Sequence, residues 1–305
     1  MLTALAVLVA ATLEVVVGEP PTRFHPVAWL GSLVAPVDRQ WRYPRLAGGI
    51  AALVLPLAVA VVVALLVVGI GTVSLLGSVL LSGLVLFLTT SLRMLVSVSW
   101  RVVADSERDV ESAREGLLAL AGRDADSLSP GHLRSAAVES AAENLADGLV
   151  ASLGAFVLGG VLSPFAGLPA LPVAAGVAAW VKTVNTMDSM LGYREKRVGT
   201  PAARLDDAVM WLPARASALA LAVAFGDPRS LLRARAWLDR VPSPNSGWPM
   251  GVVAAALDVR LEKPDVYVLN DGADLPEVDD ARRAIRRVGL AGLLSYVVAG
   301  VIGWF

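Results

Sequence analysis

The sequence predicts an all-α, polytopic integral membrane protein with broken or re-entrant helices around a polar site on the cytoplasmic side. Of its 305 residues, 56% are hydrophobic and only 17% are charged, and the mean hydropathy is +0.65. Residues 46–92 contain no charged side chain, and neither do residues 148–181. Polar motifs flank the second of these stretches, as expected for a site at the rim of a membrane, because charges inside a bilayer are costly.

Four membrane spans are predicted, near residues 2–18, 47–69, 72–92 and 288–305, within one membrane domain over 1–305. The first is expected to be uncleaved, because it lacks the basic start and cleavage site of a secretory signal. The stretch 46–92 crosses twice at about 1.5 Å per helical residue. The motif-bearing core is residues 130–260.

The segments between these spans are predicted to be interrupted helices. Residues 93–134 carry mixed charges at helical spacing, which indicates an amphipathic helix pair. Ser129-Pro130 predicts a helix start, with serine as the N-cap and proline at the first helical position. Prolines break 148–181 into a broken helix or a re-entrant hairpin, and Pro213 interrupts 208–225.

Arginines indicate the orientation. They follow the first and third predicted spans and precede the last, namely Arg23, Arg39, Arg42, Arg45, Arg93, Arg101, Arg282, Arg283, Arg286 and Arg287. The positive-inside rule then places these segments and the polar motifs at the cytoplasmic face of the cell membrane, with the N-terminus outside.

The first candidate site is an acidic stripe. Glu139, Glu143 and Asp147 are spaced four residues apart, so one helix would present all three on one side, with Asn144 beside them. Oxygen ligands of this kind suit Mg²⁺, which proteins hold by one or two carboxylates together with substrate phosphates. The alternative is a solvated helix face.

A second set of polar residues follows the apolar stretch, and a third lies in a proline-rich loop. Amides, acids, hydroxyls and cations that could orient a substrate or grip a phosphate occur at Lys182, Asn185, Asp188, Ser189, Arg204, Asp206, Asp207 and Arg215. The loop 242–249 adds Ser243 and Asn245. A local polar cap and structural ion pairs are the alternatives for these residues.

Several classes of function are excluded or disfavoured. The chain has no cysteine, which excludes thiolate chemistry and disulfides, and only two histidines, His25 and His132. It contains no P-loop and no nucleophile elbow. A net charge of −1 gives no reason to expect a nucleic-acid partner.

The ordered motifs closely resemble the CobD/CbiB family of cobalamin biosynthesis proteins over essentially the whole chain. The matching runs are Pro21-x-x-x-His25-Pro26-Val27, Glu139-Ser-x-x-Glu143-Asn144-x-x-Asp147-Gly148, Asn185-Thr-x-Asp188-Ser189-Met190-x-Gly192-Tyr193, Ala203-Arg204-Leu205-Asp206-Asp207, Pro213-Ala214-Arg215 and Ser243-Pro244-Asn245-x-Gly247.

The resemblance implies an adenosylcobinamide-phosphate synthase, an acid–amine ligase. Such an enzyme joins aminopropanol or aminopropanol phosphate to adenosylcobyric acid, with the corrinoid as substrate and ATP and Mg²⁺ consumed or required. Its partners would be the lipid bilayer and other late cobalamin-pathway membrane enzymes. Under this interpretation the catalytic residues are Glu139, Glu143, Asp147, Asp188, Asp206 and Arg204, with Mg²⁺ on Glu139, Glu143 and Asp147. Substrate-binding roles fall to His25, Asn144, Lys182, Asn185, Ser189, Asp207, Arg215, Ser243 and Asn245.

Three positions depart from the family pattern towards apolar side chains. Val241 stands where a histidine is usual, Met250 where a glutamate is usual and Met210 where an asparagine is usual. A diverged paralogue that binds or transports a corrinoid without catalysis is therefore the alternative function.

Overall fold

A computed structural model describes residues 1–18, 20, 25–121, 125–193 and 195–305. The described chain is helical apart from one short hairpin, which confirms the all-α prediction. The helices are α1 (Leu2–Val16), α2 (Pro26–Val34), α3 (Pro44–Gly71), α4 (Leu75–Thr89), α5 (Leu92–Asp105), α6 (Val110–Ala121), α7 (Pro130–Leu145), α8 (Ala151–Leu162), α9 (Ala170–Leu191), α10 (Thr200–Val209), α11 (Trp211–Phe225), α12 (Ser230–Ala234), α13 (Gly247–Leu257) and α14 (Val278–Ile302). Strands β1 (Leu261–Lys263) and β2 (Tyr267–Leu269) pair antiparallel.

Four helical stretches within the described residues are long and apolar enough to cross a membrane, so this is a multi-pass membrane protein. They are Pro44–Gly71, Leu75–Asp105, Pro130–Ala166 and Val278–Ile302. Helices α10 and α11 form a fifth candidate if a pair bent by 46° counts as one span. The candidate Pro44–Gly71 covers the predicted span near 47–69. The candidate Leu75–Asp105 is longer than the predicted span near 72–92, because α5 continues the stretch.

Two predicted spans differ from the structure at the ends of the chain. Helix α1 has 15 residues, fewer than the about 20 that cross a bilayer, and is not among the four. The last helix begins at Val278 rather than near residue 288, so the four arginines expected before the span lie inside α14. Acidic Asp279 and Asp280 in its first turn favour this earlier start.

Prolines and a left-handed glycine set the breaks elsewhere. Pro164 opens a 3₁₀ turn after α8, Gly167 follows with φ of 70°, and Pro169 caps α9, so the predicted break within 148–181 is confirmed. Pro213 lies in the first turn of α11, where proline is tolerated, and the bend falls at Met210 instead. Ser129 caps α7 as predicted and accepts the His132 N–H.

The chain divides into two compact units. The first comprises Met1–Ser91, Ala151–Met210 and Tyr296–Phe305, and the second comprises Leu92–Val150 and Trp211–Ser295. In the first unit α9 packs against α3 and α8, and α1 packs against α4. In the second, α7 is buried on nearly all sides and contacts α5, α6, α13 and β1. Its Ser- and Ala-rich sequence allows this, because small residues let backbones approach closely.

Candidate functional site

The predicted site residues fall into two sets, one in each unit. The first unit holds His25, Lys182, Asn185, Asp188, Ser189, Arg204, Asp206 and Asp207. The second holds Glu139, Glu143, Asn144, Asp147, Arg215, Ser243 and Asn245.

A polar cavity of about 280 Å³ lies in the second unit. We call it the hairpin cavity, because α7, the loop before α13 and the β1–β2 hairpin form its wall. It is lined by Leu120, Ser140, Glu143, Asn144, Val241, Pro242, Ser243, Ser246, Lys263, Val266 and Tyr267. Glu143 and Lys263 are the charged side chains in this wall. One carboxylate and one ammonium group suit a small ligand that carries both charges.

Glu139 lies one helical turn before Glu143 but is fully buried. Its Oε1 accepts a hydrogen bond from Ser135 Oγ at 2.8 Å, and its Oε2 accepts one from Tyr267 OH at 2.5 Å. Ser135 Oγ also accepts the Glu262 N–H at 2.8 Å. The network therefore ties the hairpin to α7 and holds the Tyr267 ring in the cavity wall.

The residues of the predicted magnesium site, Glu139, Glu143 and Asp147, do not form a cluster of three carboxylates in the described structure. No three histidine, aspartate or glutamate side chains come together as a metal site anywhere in the described ranges. Both Glu139 oxygens are engaged by hydroxyl donors. In addition, Ala146–Val150 forms a π turn, which rotates Asp147 relative to the regular α-helical stripe. These residues do not fit a metal held by three carboxylates.

The loop 242–249 is held by hydrogen bonds of its own. Ser243 Oγ accepts the N–H groups of Asn245 at 3.2 Å and Ser246 at 3.4 Å. Asn245 Oδ1 accepts from Arg215 Nη1 at 2.9 Å. The Arg215 guanidinium also lies 4.4 Å from the ring centre of Trp211. Thus Ser243 lines the hairpin cavity, whereas Arg215 and Asn245 fix the loop that carries it.

Asn144 has a defined orientation in the same wall. Its Nδ2 donates to the Ser140 carbonyl at 2.9 Å, one turn back along α7. The amide plane is therefore fixed, and its carbonyl oxygen is the atom suited to accept from a ligand.

In the first unit, Asp188 lies at the C-terminal end of α9, and Asp206 and Asp207 lie on α10. Burial raises the pKa of the Asp188 carboxyl above its ordinary value, and the charge of Asp207 raises it further. Glycine is favoured at position 192, because an added Cβ would come within 2.7 Å of the Asp188 backbone carbonyl oxygen. The structure thus brings Asp188 and Asp207 near one another, as expected for a site where the pKa values of carboxylates are shifted by their surroundings.

The other predicted residues of the first unit have local roles. His25 Nδ1 accepts the Val27 N–H at 3.2 Å and so caps α2. Ser189 Oγ donates to the Asn185 carbonyl at 2.9 Å. Lys182 is half-buried and Arg204 is exposed. Pro21 and Arg23, which precede His25 in its motif, lie outside the described residues.

Sequence reasoning missed three residues of the hairpin cavity, Ser246, Lys263 and Tyr267. The hairpin itself was not predicted, although Pro264-Asp265 between two short alternating runs is a turn signal that could have revealed it. Lys263 and Tyr267 stand on either side of that turn, paired across the two strands.

Two of the three residues that depart from the family pattern, Val241 and Met250, lie at the hairpin cavity. Val241 lines the cavity, and Met250 is buried with its Sδ 3.6 Å from Tyr267 OH. Met210 is buried at the end of α10 in the first unit. Apolar side chains therefore replace potential polar groups next to the cavity, while the Glu143, Asn144 and Lys263 functional groups remain.

Comparison with known proteins gives consistent results. The profile of a family described as CobD/Cbib protein matches residues 7–295. A "Probable cobalamin biosynthesis protein CobD" from Methanothermobacter thermautotrophicus is 35% identical over 97% of this chain and 96% of its own length. A "Cobalamin biosynthesis protein CobD" from Klebsiella pneumoniae is 34% identical over 99% and 98%. A "Cobalamin biosynthesis protein CbiB" from Salmonella typhimurium is 33% identical over 93% and 89%. No solved structure matches the chain.

Proposed function

Because the chain belongs to the CobD/CbiB family of cobalamin biosynthesis proteins, we propose that it forms an amide bond in that synthesis. It joins aminopropanol or aminopropanol phosphate to the propionate carboxyl of adenosylcobyric acid, with consumption of ATP. The observation that carries this proposal is the hairpin cavity, whose wall presents one carboxylate, one ammonium group and several hydroxyls.

The size of the cavity supports the small amine as its occupant. At about 280 Å³ it is smaller than the sites of drug-sized ligands, so a corrin ring would remain outside and only its propionate arm would enter. Aminopropanol phosphate carries an ammonium and a phosphate group, which complement Glu143 and Lys263. The hydroxyls of Ser140 and Ser243 and the amide of Asn144 would orient it.

The proposed reaction proceeds in two steps. A propionate oxygen attacks the γ-phosphorus of ATP, a P–O bond to ADP breaks, and an acyl phosphate forms. The amine nitrogen then attacks the acyl carbon, the C–N bond forms and phosphate leaves. Glu143 is suited to take the proton that the amine must lose, because it is the carboxylate of the cavity wall.

Magnesium enters this proposal only as the counter-ion of ATP, since the acids of α7 do not fit a three-carboxylate site. In the first unit, Arg204 and Lys182 are proposed phosphate contacts, and Asp188 and Asp206 are proposed catalytic acids. The site is proposed to face the cytoplasm, where ATP is available.

The test uses the purified full chain in detergent with adenosylcobyric acid, MgATP and either amine, and product is detected by mass. We expect Glu143→Gln to reduce product formation on the order of 100-fold, as losses of positioned polar groups commonly do. Glu115→Gln, on an exposed part of α6, is the matched control. Lys263→Gln should raise KM for aminopropanol phosphate much more than for aminopropanol.

Unchanged product formation by a folded Glu143→Gln variant would overturn its assigned role. If the wild-type chain binds adenosylcobyric acid but forms no product with all substrates present, the non-catalytic corrinoid-binding or transport function is correct instead. Val241 and Met250 beside the cavity favour that second candidate.

A further inference from the structure

A second cavity, of about 560 Å³, lies at the start of α3 in the first unit. Its wall consists of Arg42, Tyr43, Pro44, Arg45, Leu46 and Arg197. Three exposed arginines therefore line one space, and no acidic side chain belongs to its lining. We call it the arginine cavity.

The chain builds this arrangement by a close approach between distant segments. Gly48 lies against the backbone of Val198, where an added Cβ would come within 1.9 Å of the Val198 carbonyl oxygen. On the other side of Arg197, Lys196 Nζ donates to Asp38 at 2.6 Å and to the Met190 carbonyl at 3.2 Å. Arg197 is thus held beside the first turn of α3 by contacts on both of its neighbours.

The lining of the arginine cavity carries three positive charges. No ion pair joins Arg42, Arg45 or Arg197 to an acid in the part of the chain that the structure describes. Arg42 instead lies 5.4 Å from the ring centre of Tyr43. Asp38, the nearest acid on the preceding segment, is already paired with Lys196. Three arginines that form no ion pair within the described residues suit an anion, and phosphate matches the fork geometry of a guanidinium.

The arginine cavity lies where a candidate membrane span begins. It lies at the N-terminal end of α3. Of the four candidate spans in the described residues, this helix has the smallest share of buried residues, 11%. Leu46, Ile50 and Leu53 on this helix are 63%, 55% and 68% exposed, as expected for a lipid-facing surface. Basic pockets at the ends of membrane helices bind lipid head groups.

We propose that the arginine cavity binds a phosphate group at the membrane surface. Its source is either the head group of an anionic phospholipid, with acyl chains along α3, or a soluble phosphate. This inference concerns a different site from the one proposed for amide formation and does not depend on it.

The test compares three full-length proteins in detergent: the wild type, Arg45→Gln/Arg197→Gln, and the control Arg229→Gln/Arg235→Gln, whose arginines are exposed and do not line the cavity. Native mass spectrometry measures retention of phosphatidylglycerol against phosphatidylcholine with the same acyl chains, and calorimetry measures inorganic phosphate. Removing both arginines should weaken binding about 30-fold, or roughly fivefold for each. The control should match the wild type.

Arginine-dependent retention of phosphatidylglycerol identifies the lipid as the source, whereas arginine-dependent binding of inorganic phosphate alone identifies a soluble phosphate. Equal binding by the wild type and the double variant, or no binding of either probe by the wild type, would overturn the proposal. If the double variant elutes as misfolded protein, Arg197→Gln alone decides, with the expected fivefold loss.

Discussion

Tyr267→Phe tests whether the buried network of Glu139 holds the second unit together. The change removes the hydroxyl that donates to Glu139 Oε2 at 2.5 Å and leaves the ring in place. Glu139 is fully buried, so water cannot replace the lost donor. Leaving a buried polar atom short of a partner costs about 1–3 kcal/mol, so the folding equilibrium should shift by roughly 5- to 150-fold.

The measurement is thermal unfolding in detergent, followed by the rate of limited proteolysis at the hairpin. Tyr193→Phe is the matched control, because Tyr193 is 56% exposed and should change little. Replacing both partners, in Glu139→Leu/Tyr267→Phe, should destabilise less than the sum of the single changes, since the carboxylate and the hydroxyl that donates to it are then removed together. If Tyr267→Phe unfolds like the Tyr193→Phe control, the hydrogen bond does not contribute as argued.

Two further predictions concern the end of α9. Gly192→Ala should destabilise the protein by about 1–3 kcal/mol, because the new Cβ would overlap Asp188, whereas Gly272→Ala, with open space around it, should be neutral in the same unfolding assay. The pKa of Asp188 is raised by burial and then by a neighbouring aspartate, so the folded state binds the extra proton. The stability of the wild type should therefore fall as pH rises from the ordinary carboxyl pKa through the raised one. Asp188→Asn should remove that part of the pH dependence and the exposed Asp239→Asn should retain it; a slope left intact in Asp188→Asn would refute the assignment.

The sequence predicted most of the helices because hydropathy and local signals determine them. The charge-free stretch 46–92 contains α3 and α4, and the Ser129-Pro130 pair marks the start of α7. The ends of α1 and α14 were less predictable. For α1, an apolar run does not indicate whether the helix is long enough to cross a membrane. For α14, the charged residues of the first turns are typical of a loop, and only the structure shows that they continue the helix.

The site was only partly predictable, because its wall combines residues distant along the chain. Glu143 and Asn144 come from α7, Ser243 from a loop about a hundred residues later, and Lys263 from the hairpin. The first three stood out as local polar motifs. Lys263 did not, because a single lysine in a short polar segment has no local signature of function, and only the pairing of β1 with β2 carries it to the cavity.

The predicted magnesium site shows the limit of helical spacing as evidence. Spacing alone places Glu139 and Glu143 on one side of α7 and suggests a shared ligand. In the structure, α7 is buried around nearly its whole circumference, so side chains one turn apart meet different partners. Glu139 meets hydroxyl groups, one from a residue 128 positions away, and Glu143 meets the cavity.

This difference separates the expected roles of the two glutamates. A change at Glu139 reaches a ligand only through Tyr267 and the hairpin, so it should alter stability and the shape of the cavity wall together. A change at Glu143 alters the charge that faces a ligand while the network behind it stays intact. Variants of the two glutamates should therefore differ in a measurable way. A Glu139 variant should lose activity and stability together, whereas a Glu143 variant should lose activity and keep its stability.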